Sequence, residues 1–165
     1  MNKLILCLLF YIPASGQVKL SKEIKASPAS VVKVYGHFDY YYKNVKGCDQ
    51  SKKASIIQNN EISPCFQYLK SFEKDDAKKI INLLRDRNTY EGPIERPCSE
   101  THYALLILNN NVVTGYVNIS LDCNKLFSNP AIPAASGTLT PKGKHELLVM
   151  LKLIIEEPLV APLEN

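Results

Sequence analysis

The stretch 98–123 constrains the fold of this chain more than any other, because it has the pattern of a β-hairpin. Two apolar runs flank the Asn-Asn pair at 110–111, and asparagine tolerates the positive φ angles of a two-residue type I′ turn. The register set by this turn places Cys98 opposite Cys123 at a non-hydrogen-bonded position. Facing Cα atoms there lie about 4.5 Å apart, which a disulfide accepts. The hairpin therefore predicts a Cys98–Cys123 disulfide at its open end.

Alternation along the two strands predicts that the hairpin buries one face. The residues on the predicted buried face are Ala104, Leu106, Leu108, Val113, Gly115, Val117, Ile119 and Leu121. The opposite face is mostly polar, with Leu105 and Ile107 as exceptions. A three-residue turn over 109–111 is an alternative, and it would place Cys98 opposite Asp122 unless a bulge intervened.

The first residues have the features of a secretory signal peptide, which we place at 1–16. Lys3 supplies a positive charge, the apolar run 4–12 follows it, and Ala-Ser-Gly at 14–16 matches a small-x-small cleavage site. The apolar run is too short to cross a bilayer as a helix. We therefore predict a secreted or periplasmic protein, cleaved near Gly16, with no transmembrane segment in the mature chain.

The rest of the chain is predicted to comprise a flexible leader and one domain. Residues 17–30 are rich in lysine and serine, which favours a loosely held segment. Residues 31–165 are enough for a single domain with its own hydrophobic core. The formal net charge of the whole chain is +4, which is too small to indicate nucleic-acid binding.

The cysteines fit export to an oxidising compartment. The sequence has five of them, and Cys7 lies inside the signal-like segment. The others, at 48, 65, 98 and 123, allow three pairings into two disulfides. We predict Cys98–Cys123 together with Cys48–Cys65. Each bond would contribute on the order of 3 kcal/mol by restricting the unfolded chain.

Periodicity outside the hairpin predicts one more strand and two helices. Residues 31–42 alternate as in a strand, whereas 74–86 carry an apolar stripe at helical spacing, with two aspartates in the first turn. A last helix starts at Thr140, a good N-cap, with Pro141 at its first position. The apolar residues of 66–72 recur at threes, which suggests a short helical turn.

The segments between these elements carry weak signals of regular structure. We interpret 43–64, 87–97 and 124–139 as irregular, because they are polar or contain prolines. The 124–139 segment is either a functional loop or a disordered one. Together the elements predict an α+β domain, in which a small antiparallel sheet centred on the 98–123 hairpin is packed by at least two helices.

Four tyrosines are the predicted binding residues, because they fall on strand faces opposite the predicted core. They are Tyr35, Tyr41, Tyr103 and Tyr116. Exposed aromatic rings can contact protein or saccharide partners. The alternative is that helices or a second layer of the structure cover these rings. The first hypothesis is a secreted or periplasmic binding or accessory protein without catalytic activity or cofactor. Its partner would be a protein or saccharide of the cell envelope.

An envelope enzyme is the second hypothesis. His37 and Asp39 share a strand face and would form a general base with its orienting carboxylate, and His102 is another candidate base. No nucleophile motif, phosphate-binding glycine loop or HExxH zinc motif accompanies them. The sequence therefore assigns no catalytic residue.

A metal site is the third hypothesis, since Cys98, His102 and Cys123 are residue types that bind zinc. Along a regular strand Cys98 and His102 lie about 13 Å apart, at roughly 3.3 Å per residue. Zinc ligands converge to about 2.0–2.3 Å from one ion. We therefore predict no metal site there unless the chain bends before His102.

Several short motifs in the last part of the chain form a set. They are Cys98 with His102, the following hairpin, Cys123-Asn124 and the sequence LTPKG at 139–143. In these motifs the chain resembles an uncharacterised family of small exported bacterial proteins, over 98–165 and part of the preceding helix. Members often carry a further cysteine where this chain has Ser120, which weakens a metal or dithiol role carried over from the family. The resemblance implies an exported protein but no particular activity.

Overall fold

The computed structural model of the chain describes residues 24–28, 30–37, 48, 55–93, 100–130 and 137–153. Their strands are β1 (Ser30–His37), β2 (Ile57–Gln58), β3 (Glu61–Ile62), β4 (Phe66–Glu73), β5 (Tyr90–Pro93), β6 (Tyr103–Asn109), β7 (Val112–Ser120), β8 (Lys125–Asn129) and β9 (Gly137–Leu139). Their α-helices are α1 (Lys74–Arg85) and α2 (Pro141–Met150), and a 3-10 helix spans Arg87–Thr89.

One antiparallel sheet has seven strands, in the order β4-β1-β6-β7-β8-β9-β5. The β6–β7 hairpin lies at its centre, and both helices contribute to a core on one of its faces. The predicted class is therefore confirmed as an α+β domain with an antiparallel sheet and two helices. No helix among the described residues is long and apolar enough to cross a membrane. The predicted signal peptide at 1–16 lies outside the described residues.

The turn of the central hairpin is the predicted two-residue turn. Asn110 and Asn111 have φ angles of 49° and 62°, which is the left-handed conformation that a type I′ turn needs at both positions. Asn109 faces Val112 across the turn, as predicted. The three-residue alternative is therefore excluded.

The register of the same hairpin differs from the prediction beyond Leu108. A β-bulge follows, so that Ile107 faces Gly115 and Thr114 is the extra residue. The Thr114 hydroxyl donates a hydrogen bond to the Ile107 carbonyl, with 3.1 Å between the oxygens. The ladder then runs one residue out of the predicted register and ends where Tyr103 faces Ile119.

The bulge removes the register argument for the disulfide at the open end. Because β7 has one extra residue, the observed register of the two strands no longer places position 98 opposite position 123. Cys123 is disulfide-bonded, but residue 98 lies outside the described residues. The Cys98–Cys123 pairing therefore stays a prediction.

Both faces of the sheet are buried, so the predicted single buried face is wrong. The helix-side core comprises Ile24, Val32, Val34, Phe72, Ala77, Ile80, Ile81, Leu84, Leu105, Ile107, Val117, Ile119, Leu126, Leu139, Leu147 and Leu151. The disulfide-side core comprises Tyr35, Ile56, Cys65, Phe66, Ala104, Leu106, Leu108 and Tyr116. The bulge brings Val117 and Ile119 to the face of Leu105 and Ile107, so both faces of the hairpin carry apolar residues.

The segment 55–66 covers the second face. Ile56 is fully buried in the disulfide-side core, and its backbone N–H donates to the Asn118 side-chain oxygen over 3.3 Å. The Asn118 amide in turn donates to the Ser55 hydroxyl, also over 3.3 Å. These bonds hold a short stretch of chain against β7 without extending the sheet.

Both predicted helices are present. The apolar stripe of α1 is buried in the helix-side core. Asp75 and Asp76 occupy the first turn of α1, where their negative charges interact favourably with the positive end of the helix dipole. The Thr140 hydroxyl caps α2 by accepting a hydrogen bond from the Gly143 N–H over 2.9 Å. Glycine is required at 143, because an added Cβ would lie 2.5 Å from the Thr89 carbonyl oxygen.

The domain begins earlier than predicted. Ile24 is buried in the helix-side core, so the flexible leader predicted at 17–30 is wrong at its C-terminal end. Gly115 makes room for this residue, because a Cβ added there would lie 2.5 Å from the Ile24 Cδ1. The Ser27 hydroxyl donates to the Asn109 side-chain oxygen over 3.1 Å, which ties the same segment to the hairpin.

The helical turn predicted for 66–72 is wrong, since this segment forms strand β4. A second bulge explains the misleading spacing by threes. Val34 faces Lys70 and Tyr35 faces Tyr68, so that Leu69 is the extra residue. The strand changes face there, which places Phe66 in the disulfide-side core and Phe72 in the helix-side core.

Three segments predicted to be irregular contain short regular elements. The polar 43–64 segment includes the β2–β3 ladder, 87–97 includes a 3-10 helix and β5, and 124–139 includes β8 and β9. Residues 131–136 lie outside the described residues. The prediction of irregular structure is thus wrong where these elements lie. Each element is short, so few residues carried its signal.

Candidate functional site

The Cys48–Cys65 disulfide lies at the edge of the disulfide-side core. The predicted pairing is confirmed, and it joins residues 17 positions apart with a Cα–Cα distance of 4.8 Å. Cys65 is buried immediately before β4, whereas Cys48 is half-buried. The Cys65 N–H donates to the Ser63 hydroxyl over 3.3 Å, which fixes the turn that leads into the strand.

His37 lies beside this disulfide, at the end of β1. Its backbone N–H donates to the His102 carbonyl over 2.9 Å, and its ring packs edge-on against Phe66 with 5.0 Å between centroids. A ring nitrogen of His37 and the sulfurs of Cys48 and Cys65 all lie within 4.8 Å of one another. The sequence did not suggest this group, because it requires the registry of three separate segments.

The oxidised cluster has limited chemistry. Sulfurs joined in a disulfide carry no thiolate, so neither cysteine is a nucleophile or a metal ligand in this state. The predicted orienting partner of His37, Asp39, lies outside the described residues. The His37–Asp39 base therefore stays a prediction, whereas His37 beside the disulfide is a structural fact.

A second cluster surrounds His102. Ligand atoms of Glu100, His102 and Asp122 lie within 4.8 Å of one another. The imidazole is buried, its Nδ1 accepts a hydrogen bond from the Leu121 N–H over 3.2 Å, and its Nε2 lies 3.4 Å from Asp122 Oδ2. The two carboxylates are on residues exposed to solvent.

These contacts occupy both ring nitrogens of His102. Because Nδ1 accepts a backbone N–H, a neutral ring carries its proton on Nε2, directed at Asp122. The ring then has no lone pair to spare for a metal ion or for a substrate proton. Neither the enzyme hypothesis through His102 nor the metal hypothesis through Cys98, His102 and Cys123 gains support from this geometry.

The predicted binding tyrosines do not form an exposed surface. Tyr35 and Tyr116 are only 7% and 8% exposed and belong to the disulfide-side core, so their predicted exposure is wrong. Tyr103 is half-buried against the helix-side core, and Tyr41 lies outside the described residues. The reason is that the segment 55–66 covers the face that was expected to meet solvent.

Burial also affects two phenols. It raises the pKa of Tyr35, and the neighbouring Tyr68 phenol raises it further, with the two rings packed edge to face at 5.7 Å. It raises the pKa of Tyr90 strongly, and the Tyr90 hydroxyl donates to the Leu84 carbonyl over 2.7 Å. Both phenols are therefore neutral structural groups at physiological pH.

Other hydrophobic side chains are exposed instead. Among the described residues the large ones are Ile62, Tyr68, Leu69, Val112 and Phe127. Three of these lie on β3 and β4, within the continuous stretch 61–73. Exposed apolar groups that gather in one region of a surface often mark a site of interaction. The sequence did not reveal this region, because the spacing of the apolar residues in 66–72 predicted a helical turn and not an edge strand.

Strand β4 is an edge strand of the sheet. Within the described residues it pairs with β1 on one side only, and most of its residues are exposed. An open edge presents unpaired backbone N–H and C=O groups to another chain. The bulge at Leu69 and the positive charge of Lys70 interrupt the edge, as in natural edge strands that avoid unspecific pairing.

Comparison with known proteins assigns no function to the chain. No protein-family model, curated protein or solved structure matches it. A function has to be inferred from the surfaces and clusters described above.

Proposed function

We propose that the protein is an exported, non-catalytic binding protein that holds an extended segment of a partner protein along β4. One observation carries this proposal. The open edge of β4 coincides with exposed hydrophobic side chains, since Tyr68 is 50% exposed and Leu69 lies beside it. Export is supported by the signal-like segment 1–16 and by the Cys48–Cys65 disulfide.

The backbone supplies the affinity in this binding mode. An extended segment added to a sheet edge forms main-chain hydrogen bonds, while alternate side chains meet the surfaces beside the edge. With eight residues, β4 is long enough for several such bonds. Ile62, which is also exposed, precedes the strand by a short turn.

The side chains of β4 supply the selectivity. Tyr68 packs against Tyr35, which orients its ring and lowers the entropy lost when a partner covers it. The Lys70 ammonium is held in place, because it donates to the Lys152 carbonyl over 2.8 Å. The bulge at Leu69 allows only registers that accommodate an extra residue. A partner strand with a small or polar residue at the bulge fits these constraints.

A saccharide partner is less well supported. Phe127 is the matching exposed ring on the other half of the sheet, at 51% exposure, and rings of this kind stack on sugars. Its cross-strand neighbour Asn118 already uses its amide within the protein. Because this neighbouring amide is occupied, the surface around Phe127 has fewer hydrogen-bonding groups to offer to a sugar.

The test compares two equally exposed rings. A photo-crosslinking amino acid replaces Tyr68 in one variant and Phe127 in the other, in cells of the organism that makes the protein. We expect a defined protein adduct from position 68 and none from position 127. The cross-linked partner is then purified and its affinity measured by isothermal titration calorimetry.

Substitutions assign the affinity to the edge. With the purified partner, Tyr68→Ala combined with Leu69→Ala should raise Kd at least tenfold, whereas Phe127→Ala should leave it within twofold. Equal losses, or loss only with Phe127→Ala, would overturn the assignment to β4. Adducts of the chain with itself, together with a dimer in analytical ultracentrifugation, would show that the segment bound along β4 comes from a second copy of this chain and not from another protein.

A further inference from the structure

The His37–Cys48–Cys65 cluster brings three donor atoms together from three parts of the chain. His37 ends β1, Cys65 precedes β4, and Cys48 comes from the connection between these strands. Their donor atoms lie within 4.8 Å of one another. Tetrahedral ligands of a zinc ion lie roughly 3.5–3.8 Å apart, given Zn–S and Zn–N bonds of about 2.3 and 2.0 Å. In the disulfide the two sulfurs are bonded to each other, so they would have to separate on reduction to take this spacing, whereas the His37 ring nitrogen already lies beside both of them.

The donor types select the class of metal. Two thiolates and one imidazole favour zinc and other borderline or soft ions over calcium and magnesium, which prefer oxygen ligands. The Glu100–His102–Asp122 group differs, because its donors are mainly oxygens and its imidazole is engaged on both nitrogens. Of the two groups of converging donors in the described residues, only the first suits a thiophilic ion.

The surroundings fit a site that is closed on one side and open on the other. His37 and Cys65 are buried, Phe66 packs against the imidazole, and Ile56 belongs to the same apolar core. A shell of low polarity strengthens metal–ligand interactions. Cys48 is half-buried, so reductant and metal have a route to the cluster from its side. A fourth ligand position on that side would be taken by water.

We infer that the reduced protein binds a zinc ion through the sulfurs of Cys48 and Cys65 and a ring nitrogen of His37. A dithiol reductant opens the disulfide, becoming oxidised to its own disulfide as both cysteines become thiols. Zinc then displaces one proton from each thiol, which passes to solvent, while the neutral imidazole donates a lone pair. Two protons are released per ion, so binding strengthens as pH rises. This inference does not depend on the partner proposed for β4.

Cobalt(II) is the probe, because its thiolate complexes absorb in the near ultraviolet and report ligand number in the visible. The full mature chain is reduced with a water-soluble phosphine, which oxidises to its oxide with oxygen from water and competes less for metal than a dithiol. Cobalt is titrated anaerobically, followed by zinc displacement, with circular dichroism recorded at each step. We expect one equivalent to bind to wild type with thiolate and tetrahedral bands, and zinc to abolish both.

Variants assign the ligands. Cys48→Ser and Cys65→Ser should each remove at least half of the thiolate absorption, because each takes away one of the two sulfur ligands. His37→Gln should weaken cobalt binding at least tenfold and shift the visible bands. His145→Gln is the matched control, because His145 is exposed on α2 and should leave binding unchanged.

Each contrary result is decisive. Equal binding by wild type and His37→Gln would overturn the inference, as would full thiolate absorption in Cys48→Ser. If reduction unfolds the chain, metal binding will either vanish or lose its dependence on His37, and both results count against the site. Folded, reduced protein with two free thiols at these positions and no cobalt bands would also exclude it.

Discussion

The two faces of the central sheet are stabilised in different ways. The helix-side core is large and mostly aliphatic, and α1 and α2 contribute to it. The disulfide-side core is about half as populous, includes Tyr35, Phe66 and Tyr116, and is covered by the segment 55–66, which holds the short β2–β3 ladder and is fastened by Cys48–Cys65. A covalent bond thus takes the place of a helix on the smaller side. Regular packing stabilises one face, and a crosslink confines the chain on the other.

The two faces also differ in their proposed roles: the helix side stabilises the fold, and the disulfide side carries the candidate sites. His37, the disulfide and Tyr68, which carry the two proposals, lie on or next to the disulfide-side core. Loops and short segments held by a rigid scaffold are where binding residues concentrate. The helix side provides that scaffold, and the following changes test how separate the two sides are.

Truncation of a helix-side residue should have the largest effect. Leu84 is fully buried, so Leu84→Ala should lower the free energy of unfolding by about 3 to 4 kcal/mol. Leu108→Ala, on the disulfide side, should cost about 2 kcal/mol, because its smaller core relaxes more easily. Urea denaturation of both variants measures the contrast. An equal or larger loss for Leu108→Ala would contradict the ranking of the two cores.

Removal of the disulfide should cost slightly less. The double variant Cys48→Ala/Cys65→Ala frees a loop with a sequence separation of 17, worth about 3 kcal/mol in the chain-entropy model. Urea denaturation of the oxidised wild type and the double variant gives the difference. A loss below about 1 kcal/mol would mean that packing alone holds the 55–66 segment in place.

Loss of the Tyr90 hydrogen bond should have a smaller effect that depends on pH. Tyr90→Phe should cost about 1 to 1.5 kcal/mol at neutral pH, since the Leu84 carbonyl loses its donor. Burial raises the Tyr90 pKa, so folding favours the neutral phenol. Its stabilising contribution is complete below the unfolded pKa of about 10 and is lost as pH rises above it.

Denaturation curves between pH 8 and pH 11 measure this dependence. Wild type should lose stability above about pH 10, and Tyr90→Phe should lose less over the same interval. The raised pKa of Tyr35 leaves part of the alkaline loss in the variant. Identical slopes for wild type and Tyr90→Phe would contradict a raised Tyr90 pKa.

The cap of α2 should give the smallest effect. Thr140→Ala removes the acceptor for the Gly143 N–H and should cost about 1 kcal/mol, whereas Thr140→Ser keeps an oxygen there and should cost less. Thermal denaturation of both variants resolves the difference. Equal losses would show that the threonine methyl group, rather than the hydroxyl, matters at this position.

The helix side was largely predictable from the sequence because its signals are local. The stripe of α1, the cap of α2 and the turn at Asn110-Asn111 each depend on neighbours within a few residues. The same reasoning missed a second Asn-Asn turn. Asn59 and Asn60 have φ angles of 50° and 64° and join β2 to β3, but the flanking strands are too short to alternate visibly.

The disulfide side was not predictable, because one extra residue in a strand moves all the following side chains to the opposite face of the sheet. The bulges at Thr114 and Leu69 depend on strands that pair across the sheet, and nothing local marks them. The bulge at Thr114 moved Val117 and Ile119 to the face of Leu105 and Ile107, and the segment 55–66 then covered the opposite face, where Tyr35 and Tyr116 are buried. The candidate site at β4 required the strand order, and the sequence alone left that order undetermined beyond the hairpin.

Amide hydrogen exchange of the oxidised wild type and of the Cys48→Ala/Cys65→Ala variant tests the separation of the two faces most directly. In the variant, we expect peptides from 55–66 to lose protection by at least tenfold, while peptides from α1 and from the β6–β7 hairpin keep theirs. Mass spectrometry after pepsin digestion resolves these segments. Loss of protection throughout the domain, or no change at 55–66, would contradict the view that the disulfide fastens one face of an otherwise self-sufficient sheet.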